Sequence, residues 1–233
     1  MNNDDHTTTA PSARIVRLGQ VPYDQALARQ MALRDERIAA RIGDHVLLVS
    51  HPHTLTVGTR GGKPDRWANL QTPKETLEAR GVGLFEIDRG GDITYHGPGQ
   101  LVVYPIIHLD RYRRDVGHYV STLEQVALRT LEALGIGAQR RDGYPGVWIG
   151  DEKIAAIGAR IKRWVTMHGM SLNVRGPLEG FDWIVPCGLD GKGITSIERQ
   201  LPTGACPDDE TILALVTDAL RMSFDWIADG DDA

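Results

Sequence analysis

The apolar and polar positions change period several times along the chain, and each change marks an element. From Pro22 to about Ile42, apolar Ala26, Leu27, Met31, Leu33, Ile38 and Ile42 recur among charges, a spacing that predicts a helix begun by Pro22. His45 to Ser50 is a short apolar strand. The segment His51-Pro52-His53-Thr54 turns into Leu55 to Val57, and Gly58-Thr59-Arg60-Gly61-Gly62 reads as a loop. Gly81 to Asp88 alternates as a strand, Arg89 to Gln100 reads as a glycine-dense loop, and Leu101 to Ile107 is the strongest strand. The clearest helix is Tyr119 to Leu134, where Val120, Leu123, Val126, Ala127, Leu131 and Leu134 keep helical spacing up to a closing Gly135.

From Gly146 the pattern turns to strands with tight turns: Val147 to Ile149, Lys153 to Arg163 and Val165 to Val174. Trp183-Ile184-Val185-Pro186 reads as a further strand, and Asp208 to Ile227 as a last helix with Ile212, Leu215, Val216, Ala219 and Leu220 inward. The expected fold class is α/β (α+β), a mixed and largely antiparallel sheet flanked by helices. Residues 1–12 are expected to be a disordered tail. With no repeat, linker or break in composition, residues 13–233 are expected to form a single domain ending in an acidic helix.

Composition narrows the class. The chain has 233 residues, 41% hydrophobic and 24% charged, enough to bury a full core. Its two cysteines, Cys187 and Cys206, are too few for a disulfide scaffold and lack the paired spacing of a zinc site. No apolar run approaches a membrane span, and the start MNNDDHTTTAPSA lacks a secretory pattern, so a cytoplasmic location is expected. The net charge of −5 is unevenly spread. After residue 203, Asp208, Asp209, Glu210, Asp218, Asp225, Asp229, Asp231 and Asp232 face Arg221 alone, so the rest of the chain is mildly basic. Within residues 138–175, Arg140, Arg141, Lys153, Arg160, Lys162, Arg163 and Arg175 outnumber Asp142, Asp151 and Glu152, a patch suited to an acidic partner or simply a solvated face.

Chemistry concentrates in three places. Arg89 to Gln100 packs four glycines, a proline and several polar groups into twelve residues, which lets a ligand approach the backbone closely. It matches neither the GxxxxGK[ST] phosphate loop nor the GxGxxG spacing of a dinucleotide site, so nucleotide use finds no support there. Cys187 lies in a glycine-bearing turn of the kind that presents a nucleophile, although an isolated cysteine is more often a small buried hydrophobe. Lys153 opens an apolar strand; an ammonium beside a thiol lowers its pKa, so the two residues mean more together than apart. Cys206 has no comparable setting.

The blocks RGGDITYHGPGQLVVYPI (Arg89 to Ile106), GDEKIAAIGARI (Gly150 to Ile161), HGMSLNV (His168 to Val174) and PCGL (Pro186 to Leu189), in this order, resemble the lipoate-protein ligase B family of octanoyl transferases. A weaker similarity covers His51 to Gly61, and nothing after Thr203 aligns. The resemblance implies the fold of the biotin and lipoyl ligase catalytic domain. It also implies transfer of an octanoyl group from acyl carrier protein to a lysine on lipoyl domains of 2-oxoacid dehydrogenases and the glycine cleavage H protein, with no cofactor, metal, nucleic acid or membrane, by a monomer. It assigns catalysis to Cys187 as nucleophile and Lys153 as the group that lowers its pKa and moves protons. It lines the acyl pocket with Arg89, Gly90, Gly91, Asp92, Ile93, Thr94, Tyr95 and His96, with Ala156, Ile157 and Gly158, and with Gly169, Met170 and Ser171. His168 reads as a structural histidine outside the catalytic set. Two alternatives stay open: an ATP-dependent lipoate or biotin ligase on the same fold, and a non-catalytic carrier-binding domain.

Overall fold

Strand β2 (Asp44–Ser50) is apolar at consecutive positions because it is buried on both faces. Val46 and Leu48 enter one core and Leu47 and Val49 another, as the two-residue period of a strand requires. The structure is a computed structural model that describes residues 11–59, 66–185 and 192–226. Among these, β1 (Ala13–Gln20), β2, β6 (Gln100–Ile106), β7 (Val147–Ile149), β8 (Glu152–Lys162), β9 (Val165–Asn173) and β10 (Gly193–Ile194) form one sheet, ordered β1-β2-β6-β9-β8-β10 with β7 beside β8. β1 on β2 and β10 on β8 are parallel, and the other pairs are antiparallel. A smaller sheet joins β3 (Thr54–Val57), β4 (Gly83–Glu86) and β5 (Ile93–His96) in the order β4-β3-β5.

Helices cover both faces of the large sheet. α3 (Val116–Ala133) and α5 (Asp209–Phe224) bury Leu123, Val126, Leu131, Val216 and Leu220 on one face, and α1 (Tyr23–Ile38) lies on the other over β6 and β9. α2 (Lys74–Ala79) lies by the small sheet, and α4 (Ile197–Gln200) follows β10. α5 begins with an Asp208 cap on the Thr211 N–H at 2.8 Å. Asp209 pairs with Arg175, and Glu210 meets Arg17 at 2.7 Å, so the acids favour the positive end of the helix and tie it to the sheet.

The mixed, antiparallel-rich architecture agrees with expectation, and several local readings are corrected. β1, α2 and β5 lie where no element was expected, β5 inside the supposed loop of residues 89–100. Trp183 ends a 3-10 turn (Glu179–Trp183) rather than starting a strand, and Ile184 makes only an isolated bridge to Leu70. The first helix exists, but its buried stripe is Tyr23, Ala26, Gln30, Arg34 and Arg37, while Met31 is exposed. Polar groups are tolerated there because their main contacts are met: Arg37 pairs with Asp44 at 2.6 Å and Arg34 with Asp35, and Gln30 Oε1 accepts from the backbone of β9, although Gln30 Nε2 has no partner among the described residues.

Pro105 locates the break in regularity that matters. β6 pairs with β9 only as far as Val103 opposite Met170. The Pro105 carbonyl points toward β9, where it accepts from the Thr166 hydroxyl at 2.7 Å, so the N–H that proline lacks would have faced the same strand. Freed there, β9 kinks: His168 has φ +56° and Gly169 has φ +154°. A Cβ on Gly169 would collide with the Val103 carbonyl, so β6 and the kink touch only because this residue is glycine.

Candidate active site

The kink forms one wall of a cavity of about 50 Å³ between the α1 face of the large sheet and β5. The register of the β8–β9 hairpin sets Ala156 opposite Ser171, Ile157 opposite Met170 and Gly158 opposite Gly169. Two triplets picked from separate sequence blocks are thus cross-strand partners. Arg89, Thr94 and His96 close the opposite side. Tyr23, Val102, Tyr104 and His168, which the sequence reading omitted, complete the lining. The glycines allow the close fit: a Cβ on Gly158 would lie 2.9 Å from the Gly90 carbonyl oxygen and 3.0 Å from Arg89 Cδ.

Arg89 is only 7% exposed and is consumed in holding its own turn. Its Nη2 donates to the Thr56 carbonyl at 2.8 Å and to Thr56 Oγ1 at 3.0 Å, and its Nη1 donates to the Gly90 carbonyl at 3.0 Å. The Gly58 and Thr59 N–H groups bond the carbonyls of Asp92 and Arg89 at 3.1 and 2.9 Å. The segment after β3 is therefore the cradle of the glycine-rich turn.

His96 is the best-determined ionisable group of the cavity. Gln100 donates from Nε2 to Asn173 Oδ1 at 2.9 Å, which leaves Gln100 Oε1 to accept the His96 Nδ1–H at 2.7 Å and His96 Nε2 with a lone pair. Burial, with the neighbouring His51 acting in the same direction, brings His96 down to about 3. The network continues from Asn173 Nδ2 to the Thr195 carbonyl at 3.0 Å, and the Thr195 N–H bonds the Lys153 carbonyl at 3.1 Å. His51 donates from Nδ1 to the Val21 carbonyl at 2.7 Å and accepts the Tyr104 hydroxyl at 2.9 Å; burial lowers its pKa and raises that of Tyr104. His168 faces Asp88 through Nε2 at 3.3 Å while its buried Nδ1 has no partner among the described residues, and Gln30 accepts its backbone N–H at 2.8 Å. Burial lowers the His168 pKa, and the His168 hydrogen bond lowers that of Asp88. His168 lines the cavity from a left-handed backbone position beside a glycine, a conformation that is invisible in a sequence.

An open groove of about 800 Å³ adjoins the cavity through Ile157 and Gly158. It is lined by Gly90 and Gly91, by Val116 and Val120 of α3, by Tyr144 and Pro145, and by Lys153. Lys153 pairs with Trp148 across β7 and β8, and its Nζ lies 4.8 Å from the centre of that ring. Three of the anticipated lining residues lie elsewhere. Asp92 holds Asn69 Nδ2 at 2.6 Å, Ile93 is buried in the cluster of the small sheet, and Tyr95 packs there against Phe181 with its hydroxyl on His53 Nδ1 at 2.7 Å. Cys187 lies outside the described residues. Of the arginines expected to meet a partner, Arg140 is engaged by Glu124 at 3.0 Å, Arg141 stands beside Trp148, and Arg163 caps the far end of β8. Among the described residues no cluster of His, Cys, Asp and Glu is placed to hold a metal ion, and no helix is long and apolar enough to cross a membrane.

Residues 22–219 match the model of the lipoyl protein ligase A/B catalytic domain. The chain belongs to this family. The match runs past Thr203 into α5, beyond where the sequence blocks ended. A protein named octanoyltransferase from Caldicellulosiruptor bescii is 48% identical over 186 residues, covering 79% of this chain and 80% of its own. Another of that name, from Desulforamulus reducens, is 42% identical over 213 residues and covers 91% of each chain. Among solved structures, lipoate-protein ligase A bound with ATP superposes with a TM-score of 0.71 at 11% identity, over 96% of this chain and 89% of that one. Biotin protein ligase from Aquifex aeolicus in complex with biotin and ATP follows at 0.55 and 12%, over 91% and 70%. At such identities the structures establish the shared lipoyl and biotin ligase fold, while the sequence relatives make this family member an acyltransferase.

Proposed function

We propose that this enzyme transfers an octanoyl group in protein lipoylation, from octanoyl-acyl carrier protein to the ε-amine of a lysine on a lipoyl domain, in the cytoplasm. The observation that carries this reading is the continuity of a small-residue cavity with a groove holding Lys153, in a chain 42–48% identical to octanoyltransferases. Cavity residues Ala156 to Gly158 and Gly169 to Ser171 are small or flexible apart from Ile157, which suits an unbranched acyl chain. As a thiolate beside the Lys153 ammonium, Cys187 attacks the thioester carbon; the carbon–sulfur bond to the carrier breaks, and the departing thiolate takes a proton from Lys153. The acceptor amine then attacks the Cys187 thioester. A carbon–nitrogen bond forms, the enzyme's carbon–sulfur bond breaks, and the amine proton passes to Lys153, which restores the thiolate–ammonium pair. Thioester exchange is nearly balanced and amide formation is downhill, so no nucleotide is needed.

Intact mass after incubation with octanoyl-carrier protein and no ATP tests this. A hydroxylamine-labile octanoyl adduct on the wild type and none on Cys187→Ala is expected. Lys153→Ala is expected to lose at least 100-fold in transfer rate with its thermal unfolding unchanged. An absolute ATP requirement, or full transfer by Cys187→Ala, would overturn the reading.

A further inference from the structure

The cavity has a floor that can be paced out strand by strand. Ala156 of β8 pairs with Ser171 of β9, and Ser171 pairs with Val102 of β6. Directly paired residues point to one face of a sheet, so these three form a single row across the cavity. The row starts beside the groove, which shares Ile157 and Gly158 with the cavity and holds Lys153, so the thioester end of an acyl group belongs there. Two inter-strand steps carry the row ~10 Å inward to β6. That is close to the extended reach of an eight-carbon chain. The next residue of the row, Val49 of β2, is only 1% exposed and packs in the cluster that holds Ala26 of α1, so the floor ends where the helix comes down on the sheet.

Tyr23, the first residue of α1, stands at that end. It is 2% exposed and boxed by other rings, whose centres lie 5.1 Å away in Phe85, 5.2 Å in His51 and 6.0 Å in His96. The backbone leading into it is fixed as well. The Val21 N–H donates to the Ser50 carbonyl at 2.9 Å, the Val21 carbonyl accepts from His51 Nδ1 at 2.7 Å, and Pro22 sets the entry to the helix at φ −51°. Tyr104, at the same end, is tied by its hydroxyl to His51 Nε2 at 2.9 Å. A ring packed on three sides is not displaced by one more methylene, because close-packed interiors resist added volume. Resting on the function proposed above, we infer that Tyr23 is the stop of the acyl site and sets the chain it accepts at about eight carbons.

The test compares kcat/KM for hexanoyl-, octanoyl- and decanoyl-carrier protein among the wild type, Tyr23→Ala and Tyr23→Phe. A buried methylene is worth about 4-fold, so Tyr23→Ala should raise the decanoyl-to-octanoyl ratio by about 10-fold, whereas Tyr23→Phe, which keeps the ring, should hold it within about 2-fold of the wild type. A general loss of stability cancels in this ratio. Should Tyr23→Ala not fold, Val102→Ile narrows the same end by one methylene and should raise the hexanoyl-to-octanoyl ratio about 4-fold. An unchanged decanoyl ratio in folded Tyr23→Ala would overturn the inference, as would an unchanged hexanoyl ratio in Val102→Ile. Failure of the wild type to form the Cys187 adduct with any of these carriers would instead sink the proposed function. Free octanoic and decanoic acids, bound to the same variants and read by calorimetry, would then still have to show the same shift in ratio.

Discussion

His96 shows how one side chain ties the cavity to solution conditions. An unfolded chain takes up this proton near ~6.5, whereas the folded protein resists it down to about 3. Above the upper value both states are neutral and pH is without effect through this group. As pH falls between the two values the unfolded state alone gains the proton, so stability declines by about 1.4 kcal/mol per pH unit. His96→Gln keeps a donor for Gln100 and removes the titration. Denaturant unfolding from about pH 6.5 down to about pH 5 should show its stability falling less steeply than the wild type's, by on the order of 1 kcal/mol per pH unit. Parallel slopes would mean that His96 is charged when folded.

The elements explain both what the sequence discloses and what it hides. β2, α3 and α5 are plain because burial on one stripe or on two faces leaves an apolar pattern. β1 is an edge strand whose exposed positions Arg14 and Arg17 break the alternation, and β5 is masked by the glycines around it. α1 is recognisable as a helix but not in its orientation, because its buried face is built of paired polar residues that look solvated in sequence. The two triplets of the cavity wall are legible as sequence blocks. Their mutual facing follows from register, and the His168 kink follows from Pro105 on another strand, so neither is a local property of the chain. Gly158→Ala tests the contact that register creates. The added carbon pushes against Gly90 and Arg89, so a loss of about 1–3 kcal/mol is expected in thermal unfolding, with at least a 10-fold fall in acyl transfer. Gly137→Ala, whose Cβ would meet nothing within 4 Å, should change stability by less than about 0.5 kcal/mol.

At the scale of the whole molecule, the acidic C-terminal segment is structural up to Phe224. Leu220 is fully buried between α3 and the sheet, so Leu220→Ala should cost about 2–5 kcal/mol, read from denaturant midpoints. Truncation after Thr203 should abolish cooperative unfolding; a truncated chain that kept it would show that the core closes without α5. The β8–β9 hairpin has a consequence in time as well as in space. Its two-residue turn, Arg163 and Trp164, holds both residues at positive φ, the geometry that suits the twist of tightly joined strands. One wall of the cavity is therefore a local hairpin, whereas Arg89 to Tyr104 is synthesised well before it. At ~5–20 residues per second, the earlier wall leaves the ribosome on the order of several seconds before its partner exists. During that interval Val102, Val103 and Tyr104 have no β9 to cover them, so this wall of the cavity presents apolar surface on the nascent chain to any chaperone that binds it.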